Sequence, residues 1–198
     1  MRGTFTDFQR ETEELPRVDV VLARTRAEDD PWVKAAIRSV EQQRYPNTGL
    51  WTVNNEDRAL NIGEAWNVGV AASTAELVLL LREEDMLTAD LVQTLVTFYL
   101  TGKAEIPTLC HVTSYMTILD EQNGRTGSAP LAHAGMFERE TLLAHPFDTG
   151  MSHHVAEHLV QRLRASVSGS EAVTFGVAHH HGYIWRNHAF RIDRINVQ

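Results

Sequence analysis

The sequence predicts an α/β domain built on a mostly parallel central sheet, and three observations predict it. From Val18 to Leu100, short β-branched or leucine-rich runs alternate with amphipathic stretches at the spacing of βαβ units. One run, Leu77 to Leu81, is wholly apolar, as suits a strand covered on both faces. Glu83-Glu84-Asp85 follows almost at once, which puts carboxylates where that strand emerges, at the crevice in which open α/β sheets bind ligands. Three adjacent acids repel one another unless a cation or a donor-rich ligand offsets their charge. The cluster therefore points to a metal-assisted nucleotide site.

Residues 1 to 16 are polar and aperiodic, which predicts a loose N-terminal arm over 1–17. Val18 to Leu22 is a compact β-branched run and gives the first strand. Asp30-Pro31 starts a helix, with aspartate at the cap and proline at the first helical position. Val33, Ala36, Ile37 and Val40 then fall at the i, i+3, i+4, i+7 spacing of a helix that faces a core. Tyr45 to Gly49 is a turn, and Leu50 to Val53 is a second strand ending in Asn54-Asn55. Ile62 to Ala72 is a helix, Leu77 to Leu81 the third strand, and Asp90 to Leu100 another amphipathic helix.

At Thr108 the character changes. Thr108 to Leu119 reads as a long strand, Asn123-Gly124 as a turn, and Leu131 to Phe137 as a returning strand. Ser152 to Val167 is expected to be a helix with Val155, Leu159 and Leu163 along one face. Ala172 to Val177 is a last strand, followed by an aromatic and histidine-rich tail. Consecutive histidines on a strand would point alternately to opposite faces, which weighs against a separate transition-metal site at His179-His180-His181. No linker of disordered composition and no internal repeat divides the chain, so one domain is expected over 18–198.

The 198 residues are 43% hydrophobic and 22% charged, enough for one domain with a substantial core. A formal charge of −8 weighs against a broad nucleic-acid-binding surface and leaves room for a local basic groove. Among 18 basic residues only Lys34 and Lys103 are lysines; arginine suits bidentate contacts to phosphate. A single cysteine, Cys110, excludes an intramolecular disulfide and fits a reducing cytoplasm. No apolar run reaches membrane-span length, and the N-terminus lacks the layout of a signal peptide.

Three segments then stand together. Val18 to Asn47 holds a strand, a helix and the turn Gln43-Arg44-Tyr45-Pro46-Asn47. Asn61 to Leu91 holds the Gly-containing helix, the apolar strand and the acid cluster. Gly135 to Leu142, then Gln161-Arg162-Leu163, then Tyr183-Ile184-Trp185-Arg186-Asn187-His188 complete the order. In order and spacing these resemble the family-two glycosyltransferases, with their Q-x-Y-P-N turn, G-x-A-R-N-x-G helix, aspartate cluster and closing Y-R-x-H. The resemblance runs from Val18 to His188 and implies the GT-A nucleotide-diphospho-sugar transferase fold, a three-layer α/β/α sandwich. It implies a nucleotide-binding half over 18–100 and an acceptor-side half over 101–198.

The resemblance also implies roles. Ala23, Arg24, Thr25, Asn54 and Asn55 would flank the nucleoside, and Arg82, Glu83 and Arg186 would face the sugar diphosphate. Glu84 or Asp85, with His188, would hold Mg²⁺ or Mn²⁺. The implied donor is a nucleotide sugar, a UDP-sugar first, and the implied reaction is inverting transfer to a hydroxyl. The acceptor stays open among a glycan, a lipid-linked sugar, a protein side chain and a hydroxylated nucleic-acid base.

The chain departs from the family pattern at several of these positions. Ala23-Arg24-Thr25-Arg26 stands for Pro-Thr-Tyr-Asn, Asn54 or Asn55 for the base-binding aspartate, and Trp66 for the arginine of A-R-N. Arg82 stands where the acid run usually begins, where it would either contact the diphosphate directly or mark the loss of metal binding. The late acid pair falls on Val155-Ala156, which cannot take a proton. His154 and Glu157 flank that pair and are the candidates for the base, with His153 next; Glu157 lies about a third of a helical turn from Ala156. Two bland readings stand beside these: a solvated acidic loop before a helix N-terminus, and a turn at Asn54-Asn55. The rival function is a protein that keeps the fold to bind a nucleotide or a partner without catalysis.

Overall fold

The computed structural model describes residues 15–119, 125–151, 154–166 and 174–186. The arm's residues 1–14, the turn at Asn123-Gly124, His153 and His188 lie outside the described residues. The elements run β1 (Val18–Arg24), α1 (Pro31–Glu41), β2 (Thr48–Asn54), α2 (Ile62–Ala72), β3 (Leu77–Arg82) and β4 (Met86–Leu87). They continue with α3 (Leu91–Glu105), β5 (Leu109–Leu119), β6 (Arg125–Glu138), α4 (Arg139–Ala144), α5 (Val155–Ser166) and β7 (Thr174–Arg186).

One seven-stranded sheet has the order β2-β1-β3-β6-β5-β7-β4. β1 is parallel to β2 and β3, and β5 is parallel to β7. β6 is antiparallel to both β3 and β5, and β4 is antiparallel to β7. Following these signs across the sheet, β1, β2, β3, β5 and β7 share one direction, while β4 and β6 oppose it. The mostly parallel sheet read from the sequence is present.

Alternation along the strands sorts the core into two layers. Val18, Val20 and Leu22 of β1 join Leu77, Leu79 and Leu81 of β3 under α1 and α3. Val21 and Ala23 join Val78 and Leu80 on the other face, under α2, α4 and α5. The result is the α/β/α sandwich. α2 lies so close on β1 that a Cβ at Gly69 would stand 2.3 Å from Val21 Cγ1.

Local chemistry sets the helix starts. Asp30 accepts from Trp32 N at 2.8 Å, with Pro31 at the first helical position. Asn61 and Glu64 form a reciprocal capping box at the head of α2, with bonds of 3.0 and 2.8 Å. The end of the arm is fixed rather than loose: Pro16 O accepts from Tyr45 Oη at 2.6 Å and Leu15 O from Asn47 Nδ2 at 2.9 Å.

The late part of the chain differs most from the sequence reading. The expected tail after Val177 is strand: β7 runs on to Arg186, pairing Tyr183 to Arg186 with Met116 to Leu119 of β5. Its alternation is hidden by a bulge. Ser114 pairs with Ala178 and Met116 with Tyr183, so two steps on β5 face five on β7, leaving three extra residues. β6 bulges at the same level: Thr113 pairs with Gly135 and Tyr115 with Pro130, again two steps against five. The short helix α4 and the two-residue β4 were not foreseen, being too brief for periodicity to mark.

Candidate active site

The parallel strands deliver their C-terminal ends to one place. Arg24 of β1 is in register with Asn54 of β2, and Ala23 with Arg82 of β3. The structure thus brings Ala23, Arg24, Thr25, Asn54, Asn55, Arg82 and Glu83 together at one rim of the sheet.

Glu83 is buried and its carboxylate serves the β1–α1 loop. It accepts from Thr25 N at 2.7 Å, Thr25 Oγ1 at 2.8 Å and Arg26 N at 2.9 Å. A carboxylate so engaged shapes the loop that follows β1. The two asparagines divide similarly. Asn55 is buried, accepting from Leu60 N at 2.9 Å and donating to Leu60 O at 2.7 Å, so it closes the β2–α2 loop. Asn54 is exposed, and its Oδ1 accepts from Glu56 N at 3.0 Å in an Asx turn that leaves the amide nitrogen facing outward contacts.

The acid cluster is balanced from within. Arg24 pairs with Glu56, and its Nη2 lies 3.8 Å from Glu28. Arg26 lies 3.7 Å from Glu83 and 3.8 Å from Asp30, and Arg82 lies 3.8 Å from Glu84. Asp85 is fully buried and accepts from Tyr183 Oη at 3.0 Å. The sequence argument that these acids need an external cation is therefore corrected: two arginines, Arg26 and Arg82, two loop amides and the Tyr183 hydroxyl already engage them. Arg24 Nε is buried with no hydrogen-bond partner among the described residues.

No group of three or more His, Cys, Asp or Glu side chains is arranged to hold a metal among the described residues. Mg²⁺ typically needs only one or two carboxylates, with phosphate oxygens and water completing its shell. Glu84, with a side chain 12% exposed, keeps a little open surface, whereas Asp85 at 0% keeps none. One partly exposed carboxylate would fit a hard divalent ion whose other ligands were phosphate and water.

The base candidates reach this rim through α2. A Cβ at Gly63, in the first turn of α2, would stand 3.0 Å from Val155 Cγ1 and 3.1 Å from Asp148 O, so α5 starts against the start of α2. Asn61 Nδ2 donates to Thr149 O at 2.6 Å. Asn67 donates to Phe147 O at 3.0 Å and accepts from Phe147 N at 2.9 Å, a two-bond clamp on the segment leading to α5. Val155 and Ala156 are core residues, 2% and 1% exposed, which removes that pair from any proton chemistry. His154 is exposed and has φ 52; with Arg58 at φ 55 it is one of two positive-φ non-glycine residues among those described. Glu157 is half-buried in the first turn of α5, and Arg186 ends β7. Glu56, Asn67 and Tyr183 were missed by sequence reasoning. Asn67 and Tyr183 carried a signal, as the asparagine retained in Ala65-Trp66-Asn67 and the tyrosine that opens Tyr183-Ile184-Trp185-Arg186.

The chain matches no protein-family model and no curated protein by sequence. By structure it is similar to Staphylococcus aureus TarS residues 1–349 in complex with UDP-GlcNAc, with a TM-score of 0.67 at 11% identity, over 86% of this chain and 58% of that one. Against a further S. aureus TarS structure the TM-score is 0.64 at 10% identity, over 86% of this chain and 37% of that one. It is also similar to Mycobacterium tuberculosis glucosyl-3-phosphoglycerate synthase in complex with Mn²⁺, UDP and glucosyl-3-phosphoglycerate. There the TM-score is 0.63 at 15% identity, over 94% of this chain and 78% of that one. The chain thus spans 37% to 58% of the TarS chains. At these identities the likeness is one of fold, and the fold is a GT-A-like α/β fold of the kind seen in nucleotide-sugar transferases.

Proposed function

We infer that this protein is a glycosyltransferase that moves a sugar from a UDP-sugar to an acceptor hydroxyl with inversion at the anomeric carbon, assisted by Mg²⁺ or Mn²⁺. The observation that carries the reading is the meeting of Arg24, Thr25, Asn54, Arg82 and Glu84 at the ends of three parallel strands, in a fold shared with a UDP-GlcNAc complex. Asn54 offers an amide to the base edge, without the charge-assisted bond of an aspartate. Arg24 brings a buried Nε still lacking an acceptor, and Thr25 sits on the loop braced by Glu83. Arg82 and Arg186 supply positive charge for the diphosphate.

In the step itself, the acceptor oxygen attacks the anomeric carbon while the bond to the diphosphate oxygen breaks. The hydroxyl proton goes to His154 or Glu157, and nucleoside diphosphate leaves. His154 is the better candidate, being exposed and held at a left-handed φ that a non-glycine residue adopts at a cost of roughly 1–2 kcal/mol. A divalent ion at Glu84, with His188, would supply Lewis-acid stabilisation of the departing diphosphate. No described helix is long and apolar enough to cross a membrane. A cytoplasmic location belongs to the same proposal and rests on the free, buried Cys110 thiol, whose pKa burial pushes up to about 11.

A second reading, nucleotide binding without transfer, draws support from the burial of Val155 and Ala156 and from the Arg82–Glu84 pair. Thermal-shift measurement against a panel of sugar nucleotides, followed by nucleoside-diphosphate release with Mg²⁺ or Mn²⁺, separates the two. UDP-sugar binding with UDP release supports transfer. Binding without release from any common sugar nucleotide supports the second reading, and full divalent-dependent activity in Glu84→Ala removes the metal assignment.

A further inference from the structure

Toward the opposite edge of the sheet from Asn54, α3 crosses β7 and the two line an open cavity of about 510 Å³. That volume lies within the roughly 300–1,000 Å³ of small-molecule clefts. One wall is a stripe of α3: Thr94, Thr97 and Thr101 recur at i, i+3 and i+7, so they share a face. The stripe of α3 that meets the sheet is apolar, with Leu91, Val92, Leu95 and Val96 buried, while Thr97 and Thr101 stand on its exposed side. Thr97 Oγ1 donates to Gln93 O at 2.9 Å and keeps its lone pairs for a ligand, and the other two hydroxyls can donate and accept.

The floor is aromatic. Phe98 is 38% exposed, and its ring lies against Gly176 so closely that a Cβ there would stand 2.6 Å from Cε1. One face of the ring is thus backed by β7. The remaining wall is the β7 bulge, which contributes His179 and His180. Its path is fixed by Gly182, whose added Cβ would meet Leu91 Cδ1 at 2.5 Å. His180 Nε2 lies 3.5 Å from both Thr88 Oγ1 and Asp90 Oδ1, which orients the imidazole. No Asp, Glu, Lys or Arg lines the cavity among the described residues.

An anionic ligand would find no guanidinium or ammonium here, and a purely apolar one would leave the hydroxyls and imidazoles unused. A sugar ring suits both surfaces, with an apolar C–H face for Phe98 and a rim of hydroxyls for the threonines and imidazoles. We propose that the α3–β7 cavity is a saccharide-binding subsite, separate from the strand-end cleft, that takes neutral sugar rings of a glycan acceptor. It shares β7 with the cleft, since Tyr183, three residues after His180, donates to Asp85. Saccharide binding here stands by itself; only the naming of the ligand as acceptor rests on the transferase reading.

The test is amide chemical-shift mapping of the full chain titrated with maltotriose, with an N-acetylglucosamine trimer and with a galacturonate trimer, alongside a separate UDP titration. The expected result is binding of a neutral trimer with shifts in α3 and residues 176–180. Binding should weaken roughly tenfold or more in Thr97→Phe, which fills the cavity, and in Phe98→Ala, which removes its floor. Thr97 is exposed, so Thr97→Phe removes no core contact and preserves folding, and UDP binding should be unchanged in both variants. The subsite is overturned by shifts that spare α3 and β7, by undiminished binding in both variants, by a preference for galacturonate, or by no response to any trimer. Loss of UDP binding with neutral-trimer binding intact would remove the transferase reading and leave the subsite standing.

Discussion

The two ends of the parallel strands each hold a buried carboxylate with three hydrogen-bond donors, and they use it differently. At the N-terminal end, Asp19 accepts from Ser73 Oγ at 2.7 Å, Trp51 Nε1 at 2.7 Å and Arg17 Nε at 3.0 Å. All three donors are side chains, drawn from β2, the end of α2 and the lead-in to β1, so Asp19 ties elements to one another. At the C-terminal end, two of the three donors to Glu83 are backbone amides of one loop. Glu83 thus sets the shape of the loop that the transferase reading places against the donor. The type of donor distinguishes a carboxylate that holds the fold from one that prepares a site.

The largest effect is expected at the fold-holding end. Asp19→Ala leaves Trp51 Nε1, Ser73 Oγ and a guanidinium without their shared acceptor, a loss of about 3–5 kcal/mol, read as a lower urea midpoint. UDP affinity of the folded fraction should not change. The pH dependence has a definite sign. Burial alone would raise the Asp19 pKa, but the bonds from Ser73, Arg17 and Trp51 outweigh it and hold the group below 3.8. Its contribution is therefore present above that pH and lost as pH falls through the folded-state value. Wild-type stability should drop on acidification below 3.8 more steeply than that of Asp19→Ala.

Glu83→Gln sharpens the comparison from the other end. One amide oxygen cannot replace two carboxylate oxygens on two backbone N–H groups and a hydroxyl, which costs about 1.5–3 kcal/mol of stability. Here ligand binding should suffer too, with UDP affinity falling by roughly tenfold or more as the Thr25-Arg26 loop loses its brace. If Glu83→Gln bound UDP normally while Asp19→Ala did not, the division of labour between the two ends would be wrong.

Next comes the clamp between α2 and the segment before α5. Asn67→Ala leaves Phe147 N and Phe147 O without their partner, about 1–3 kcal/mol, visible as a lower melting temperature. Because Asn67 holds the lead-in to His154 rather than the strand-end cleft, UDP release should fall more than UDP binding. Equal loss of both would assign Asn67 to general stability alone.

The same contrast explains what was legible in the sequence. β1, β2, β3, α1 and α2 were readable because local periodicity and caps encode them: the apolar run of Leu77 to Leu81, the Asp30-Pro31 start, the two helical faces. The Gln43-to-Asn47 turn was readable from its likeness to the Q-x-Y-P-N motif, although most of its bonds are distant in sequence: Gln43 reaches Thr88 O as well as Ser39 O at 2.8 Å, and Val92 N at 3.1 Å. Which carboxylates Arg24, Arg26 and Arg82 meet was not readable, since near and distant acids compete: Arg24 takes Glu56 as well as Glu28, Arg26 takes Glu83 as well as Asp30, and Arg82 takes Glu84. Nor was β7, because three extra residues in its bulge break the alternation that marks a strand. The acid cluster marked the strand ends at which the donor cleft is proposed, yet solvent access there was not readable: Glu83 and Asn55 turn inward, Asn54 is exposed and Glu84 only partly so.

The smallest effect tests whether that turn acts as a tie. Tyr45 Oη donates to Pro16 O, and burial, with Glu76 nearby, pushes its pKa from 10.0 up to about 12. Tyr45→Phe removes this one bond and should cost about 0.5–1.5 kcal/mol, far from both carboxylates and without effect on UDP affinity. A folded-state pKa raised above the unfolded value adds stability that is fully present below pH 10.0 and is lost as pH rises toward about 12. Wild type should therefore lose stability over that alkaline interval, and Tyr45→Phe should lose less. Parallel alkaline curves for the two proteins would mean that the phenol proton is not what joins the turn to the strand's lead-in.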